Sequence, residues 1–399
     1  MMHHSSPSGG LADPPDLPPP LVVDSPETLE RLLRELSGAP RLAVDTESNS
    51  LYAYRERVCL IQLSTETRDY LVDPDSVKEA ERFGRLGDVF ADPAVEKVLH
   101  AAEYDVMSLH RDFGFTFANL FDTMIAARIL GWERFGLGAI LEERYAVQVN
   151  KRHQRANWGR RPLPDYLLRY AQIDTHYLLP LRDELHTMLE AGGHLEEAGE
   201  LFDEVLRARW HRPDFDPEGF WGINGARSLD REGIAVLQEL YLYRELQARR
   251  RDLPVFKILG DHTLAVLAKR QPANQHALSQ IEELSPIQIR RHGRGILRAI
   301  RNGKQAPPPP PPRRSRRFHR EDALRRSEAL HTWRKERAAQ RGVPSDIVMP
   351  KDALKMLARK APHTLGELSE LNVLGPWRLK TYGDEVLRVI AEVDENGDS

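Results

Sequence analysis

Cysteine is almost absent: the 399-residue chain holds one, Cys59. A lone thiol excludes an internal disulfide and any thiolate metal cluster. Its place in the apolar run Val58–Leu63 reads as a buried packing position. Long hydrophobic runs are missing too. None approaches the ~18–20 apolar residues of a membrane helix, so no membrane partner is expected. Met1–Pro20 lacks a basic segment followed by an apolar core and does not read as a secretory leader. No Gly-x-x-x-x-Gly-Lys-Ser/Thr loop occurs, which excludes a helicase-type motor. The expectation is a cytoplasmic protein of two to three domains, with no obligate protein partner evident.

Net charge is also small, −3 from 57 basic and 60 acidic residues, but it is unevenly spread. Arg290 to Lys304 carries Arg290, Arg291, Arg294, Arg298, Arg301 and Lys304 and no acid. Arg313 to Arg341 holds eleven Arg or Lys against four Asp or Glu. Local basic surface on a near-neutral chain suggests a polyanionic partner, although charge runs are commonly just solvated faces.

Along the chain, residues 1–20 are rich in Pro, Ser and Gly and are expected to be disordered. Short apolar runs at Arg41–Glu47, Val58–Ser64, Asp69–Val72, Lys97–His100 and Ala118–Phe121 read as strands. Helical periodicity covers Asp122–Leu130 and Asp165–Leu189. The pattern implies an α/β fold, a mixed sheet flanked by helices, over residues 21–215. The remainder is helical and repeats itself at an offset of 90 residues: Leu240 with Leu330, Arg244 with Arg334, Pro254 with Pro344, Leu267 with Leu357, Gly293 with Gly383. Two copies of one small all-α domain are therefore expected, at 225–303 and 319–399. A linker at 304–318 separates them, stiffened by Pro307–Pro312 as polyproline II.

Three short patterns carry chemistry. In Arg41-Leu-Ala-Val-Asp45-Thr-Glu47 the strand period puts Asp45 and Glu47 on one side. Two such acids repel unless a cation or hydrogen-bond donors lie between them, or unless both are simply solvated. In His100-Ala-Ala-Glu-Tyr-Asp105, Asp105 would open a helix just beyond a strand, where it could equally complement the helix dipole. In Tyr170-Ala-Gln-Ile-Asp174 the i, i+4 spacing presents a phenol and a carboxylate together, or else a packed tyrosine and an unrelated acid.

Taken together, Asp-x-Glu on a first strand, Asp after a later strand and Tyr-x-x-x-Asp on a late helix resemble the DEDDy exonucleases of the ribonuclease H-like fold. Tyr170-Ala-Gln-Ile-Asp-Thr-His-Tyr-Leu-Leu-Pro-Leu181, Phe121-Asp-Thr-Met-Ile-Ala-Ala127 and Asn157-Trp-Gly-Arg-Arg-Pro-Leu163 are similar to the ribonuclease D branch. The paired repeats resemble HRDC domains. The second copy carries Trp333-Arg334, Gly342-Val-Pro344 and Tyr382-Gly383. The first is degenerate, with Tyr243 for the Trp and His292 for the Tyr.

The resemblance implies a 3′→5′ exoribonuclease that releases nucleoside 5′-monophosphates. Its substrate would be RNA with a single-stranded 3′ end, such as a transfer RNA precursor. Asp45, Glu47, Asp105 and Asp174 would hold two divalent metal ions, Mg²⁺ or Mn²⁺. By the family pattern Asp45, Glu47 and Asp174 hold the ion that activates water, and Asp45 and Asp105 hold the other. Tyr170 would orient the water. His100, Tyr104 and Asp122 are candidates for contacts behind the ligands. Lys151, Arg152, Arg155, Arg160 and Arg161 read as a phosphate-tracking edge or a solvated loop. Trp158 could stack on a base, but core anchoring fits it better. The basic stretches, with Arg290, Arg291, Arg294 and Arg298 foremost, would hold RNA upstream. Two other readings share these residues: a DNA 3′→5′ exonuclease of the repair type, and a non-catalytic RNA-binding scaffold.

Overall fold

The computed structural model describes residues 17–208, 215–311 and 320–395. It divides into two units. Of the described residues, one comprises 17–47, 58–208 and 320–395; the other comprises 48–57 and 215–311.

The first unit is built on a six-stranded mixed sheet in the order β1-β4-β3-β2-β5-β6. The strands are β1 Leu21–Val23, β2 Arg41–Ser48, β3 Val58–Ser64, β4 Asp69–Val72, β5 Glu96–Leu99 and β6 Leu120–Asp122. β2 runs parallel to β5 and β5 to β6, while β3 and β4 form an antiparallel hairpin. β3 is buried along its whole length, as a strand covered on both faces must be, which is why Val58–Ser64 is nearly continuous in apolar residues. β1 joins the sheet beside β4, pairing Leu21 with Tyr70 and Val23 with Val72. Three residues are too few for their period to be read from sequence.

Two expectations change here. Asp165–Leu189 reads as one helix but is two, Asp165–His176 and Leu178–Ala191. Pro180 lies in the first turn of the second helix; it has no N–H to bond the carbonyl of His176, and its ring crowds that carbonyl. The chain before β1 was expected to be disordered through residue 20. Residues 1–16 lie outside the described residues, but Leu17 and Pro18 are held. Their carbonyls accept from Arg169 at 3.0 Å and from Gln172 at 2.7 Å. Proline lacks a donor but keeps its acceptor, so a proline-rich strap can still be fastened.

The second helical repeat belongs to this same unit. Its apolar residues, among them Leu330, Trp333, Ile347 and Leu354, are continuous with the core under the sheet. The helix Leu195–Arg207 forms the seam. Buried Glu197 pairs with Arg341 at 2.6 Å, and Glu200 accepts from the backbone of Trp377 and Arg378. Arg378, itself buried, also bonds Glu204 and the carbonyls of Ile347 and Val348.

The second unit holds the first repeat with its own core of Val236, Leu240, Leu264, Leu267, Ile296 and Ile300. The two repeats match at the level of hydrogen bonds. Arg244 donates to the carbonyl of Leu259, and Arg334 to that of Met349, 90 residues on. The degenerate pair keeps its contact with the partners exchanged: Tyr243 meets His292 edge-on at 6.2 Å, as Trp333 meets Tyr382 at 5.7 Å. Pro307–Pro311 carries no regular backbone hydrogen bonding, and residues 312–319 lie outside the described residues.

Candidate active site

β2 delivers Asp45 and Glu47 near its C-terminal end, between the neighbouring strands β3 and β5. Crevices at strand ends are where open α/β sheets bind ligands. Asp105 arrives in the first turn of the helix Glu103–Phe113, which follows β5. Its carboxylate accepts from the Thr46 hydroxyl, so the residue between the two strand acids locates the third. Tyr170 and Asp174 come from the helix Asp165–His176, packed on β3 and β4. The Tyr170 phenol donates to the Asp174 carboxylate. Asp105, Asp174 and Tyr170 are buried; Asp45 and Glu47 are half-buried, reachable by solvent but walled by protein.

The electrostatics follow from that crowding. Burial first, opposed by a backbone hydrogen bond at Thr46, pushes the Asp45 carboxyl up to about 7. Burial, then Asp45, Asp174 and Asp105, push Glu47 up to about 10. Asp105 and Asp174 are raised well above the carboxylate range by burial and then by Asp45. Tyr170 is pushed up as well, by burial and then by Asp174, Glu47 and Asp45, so its phenol keeps its proton. No Lys, Arg or His contributes to the shifts of the four acids. Packing like charges together without a compensating cation is costly, and the oxygen-only donor set suits a hard divalent ion. The residues therefore fit such ions. Among the described residues no three His, Cys, Asp or Glu side chains form a ready-made metal cage. A Mg²⁺ site needs none, because that ion keeps several waters and takes one or two carboxylates plus substrate phosphate.

The turn before Asp105 is built by residues that sequence reasoning placed behind the ligands. Ala101 adopts a left-handed φ of 62°. Asp122 stabilises it, accepting from the backbone N–H of Ala101 and Ala102 at 3.2 and 2.7 Å and from Met124 and Ile125 at 2.8 and 3.0 Å. One carboxylate thus caps the helix Thr123–Ile129 and ties it to the turn leading to Asp105. His100 Nδ1 lies 2.9 Å from the Thr123 hydroxyl, and burial pushes its imidazole down to about 4, so it stays neutral. Tyr104 is partly exposed beside Asp105. Thr46 and the strained Ala101 were not singled out from sequence. The only signal for Thr46 is its position between two acids.

The predicted phosphate edge divides. Lys151, Arg152, Arg155 and Arg160 are exposed. Arg161 is not available: its guanidinium donates to both Asp73 oxygens at 2.6 and 2.9 Å and to the carbonyls of Cys59 and Trp158. It fastens the loop to β3 and to the residue after β4. Trp158 is fully buried with Cys59, Leu60, Leu71 and Tyr170 and anchors the core. On the helix Pro286–Gln305, Arg290, Arg291, Arg294 and Arg298 are exposed, and among the described residues none makes an ion pair. Of the second basic stretch, Arg313, Arg314, Arg316 and Arg317 lie outside the described residues, and the described part behaves differently. Arg325, Arg326, Arg337 and Arg341 pair with Asp322, Asp394, Glu385 and Glu197, and Arg334 bonds a buried carbonyl. Counting local acids overstated its free charge because three of those partners lie far along the chain.

A 3′-5′ exonuclease family matches residues 20–190, the span that contains all five site residues. Over this span the chain is similar to the 3′-5′ exonucleases, and its acids and tyrosine follow one another in the DEDDy order. The HRDC domain family matches residues 234–300 and 323–390. Among relatives, the exosome complex exonuclease RRP6 of Saccharomyces cerevisiae is 33% identical over 271 residues, covering 64% of this chain and 36% of that one. The chain spans less than half the length of such curated relatives. The crystal structure of the catalytic core of RRP6 from Trypanosoma brucei is 29% identical with a TM-score of 0.64, covering 71% of this chain and 81% of that one. Escherichia coli RNase D shares the fold, with a TM-score of 0.65 at 23% identity over 94% of this chain and 99% of that one. Among the described residues no helix is long and apolar enough to cross a membrane.

Proposed function

We propose that this protein is a hydrolytic 3′→5′ exoribonuclease acting on RNA with a single-stranded 3′ tail and releasing nucleoside 5′-monophosphates. The observation that carries the reading is the gathering of Asp45 and Glu47, half-buried, with the buried Asp105 and Asp174, without a balancing cation, around a tyrosine that keeps its proton. The four carboxylates would hold divalent ions, Mg²⁺ or Mn²⁺, which when bound would neutralise the acids, activate water and offset charge on the phosphate. The chain's own part is positional. Thr46 and Asp122 place Asp105; the helix carrying Asp174 also presents the Tyr170 hydroxyl, which hydrogen-bonds and orients the attacking water. The exposed cations Lys151, Arg152, Arg155 and Arg160 follow the phosphates of the 3′ end. Arg290, Arg291, Arg294 and Arg298 form a second phosphate-binding face on the first repeat. The RRP6 and RNase D relatives are named as an exosome exonuclease and an exoribonuclease involved in structured RNA processing, and precursor transfer RNAs are the substrates to try first.

The test incubates wild type and Asp45→Asn with 5′-labelled tailed RNA and its DNA counterpart, in Mg²⁺, Mn²⁺ or chelator. The expected result is a ladder shortening from the RNA 3′ end, dependent on metal and lost in the variant. Preferential shortening of DNA would replace the substrate class, and tight RNA binding without shortening under any metal would leave only a scaffold. For the arginine face, Arg294→Glu with Arg298→Glu should weaken binding of every RNA alike and flatten its salt dependence by roughly 1 to 2 in slope. Unchanged affinity and slope would remove that face from the proposal.

A further inference from the structure

The helix that carries Tyr170 and Asp174 extends the same face outward. Tyr166, Tyr170 and Asp174 are spaced four residues apart in Asp165–His176 and so lie along one side, at ~6 Å of rise per step. Tyr170 and Asp174 are buried, while Tyr166 is 57% exposed. A single exposed ring is ordinary, and the arrangement around this one is what distinguishes it. The His153 ring sits between the two tyrosines, 5.2 Å from Tyr166 and 5.4 Å from Tyr170 between centroids. Behind Tyr170 stands the buried Trp158 ring, 6.0 Å away. Four rings thus run in file from the core, past the acids, to solvent.

Cations neighbour this file along the chain. Lys151 and Arg152 directly precede His153, and Arg160 follows in the same loop; all three are exposed and without an ion pair among the described residues. Aromatic faces bordered by unpaired cations match the chemistry of a single-stranded nucleic acid: rings take the bases and cations take the phosphates. Among the described residues the Tyr166 ring meets no aromatic ring other than that of His153.

We propose that Tyr166, backed by His153, is a stacking platform for a nucleobase of the RNA at the mouth of the active site. The inference rests on the exonuclease reading and adds a subsite to it. Stacking uses the π-face that every base has, so the platform tolerates any sequence. It holds substrate without touching the reacting phosphate, so Tyr166 acts on KM and leaves kcat in place.

The experiment compares wild type, Tyr166→Ala, Tyr166→Phe and Tyr166→Trp on tailed RNA, with circular dichroism melts to establish that each is folded. The expected result is a rise in KM of about tenfold for Tyr166→Ala, within the range for loss of one base stack. Its kcat should stay at the wild-type value, and both aromatic variants should keep wild-type KM. Binding is then measured in Ca²⁺ with RNAs carrying one abasic residue or one 2-aminopurine at each of the last three positions. At one position the abasic residue should abolish the difference between wild type and Tyr166→Ala, and 2-aminopurine there should be quenched by wild type only. A fall in kcat with unchanged KM, an effect of equal size on intact and abasic RNAs at every position, or no effect at all would overturn the platform. If wild type shortens no RNA, the exonuclease reading fails by that result, while the 2-aminopurine arm still decides whether Tyr166 stacks on a base.

Discussion

At the scale of residues, the acids of β2 make stability depend on pH in a direction opposite to that of ordinary salt-bridged carboxylates. Folding raises Asp45 from 3.8 to about 7 and Glu47 from 4.5 to about 10 in the metal-free protein. A carboxyl raised in this way contributes stability that is full below its unfolded value and is lost as pH rises through its folded value. Metal-free protein should therefore lose thermal stability from about pH 5 to about pH 8. Asp45→Asn, which has no charge to bury, should flatten that slope and raise Tm at the alkaline end. Melting curves in chelator across this range check the sign, and a Tm that climbs with pH would mean the acids are compensated in the fold. Mg²⁺ should restore the wild-type Tm with release of protons, read by calorimetry in two buffers of different ionisation enthalpy. In the same variant, metal-dependent hydrolysis should fall by about a thousandfold or more, the scale of removing a group that offsets transition-state charge.

At the scale of elements, two positions set where helices begin and how closely they approach. Asp122 accepts four backbone N–H groups from two segments. Asp122→Ala leaves them unsatisfied next to a left-handed alanine, and a loss of roughly 2–4 kcal/mol is expected in urea unfolding. Hydrolysis should fall as well, because the turn that carries Asp105 loosens; Asp122→Asn, which keeps an acceptor, should recover part of both. In the first repeat, Gly303 faces the helix Arg231–Arg251 so closely that a Cβ there would lie 2.4 Å from the Val236 Cα. Gly303→Ala forces those helices apart, at roughly 1–3 kcal/mol. A transition unaltered in the isolated melting of this unit would show that the helices can slide without loss.

At the scale of the whole molecule, the second repeat shares a core and a buried ion pair with the sheet unit instead of standing as a separate module. Glu197 is fully buried and faces Arg341 at 2.6 Å and His194 at 3.3 Å. Arg341→Met removes the permanent cation and leaves a buried carboxylate. Breaking such a pair from one side costs about 3–5 kcal/mol. The repeat and the sheet unit should then unfold at lower denaturant together, followed by Trp fluorescence. Loss of the repeat alone, with the sheet transition unmoved, would mean that the shared core does not couple them.

Much of this protein is decided by short-range rules. Strand alternation sets Asp45 beside Glu47, helical spacing sets Tyr170 beside Asp174, and a constant offset of 90 residues reveals two copies of one domain. These features need only the neighbouring residues, so they can be read from the chain. The break at Tyr177 was also legible in principle, since Pro180 follows three residues on. What the tertiary structure alone decided involves partners far apart in sequence: Thr46 with Asp105 across 59 residues, Asp73 with Arg161 across 88, and Glu197 with Arg341 across 144. The same holds for charge. Among the described residues Arg294 and Arg298 make no ion pair, while Arg326 and Arg337 are paired with acids. Both stretches read as basic in sequence, and they part because the acid that pairs with an arginine is chosen by packing and not by position along the chain.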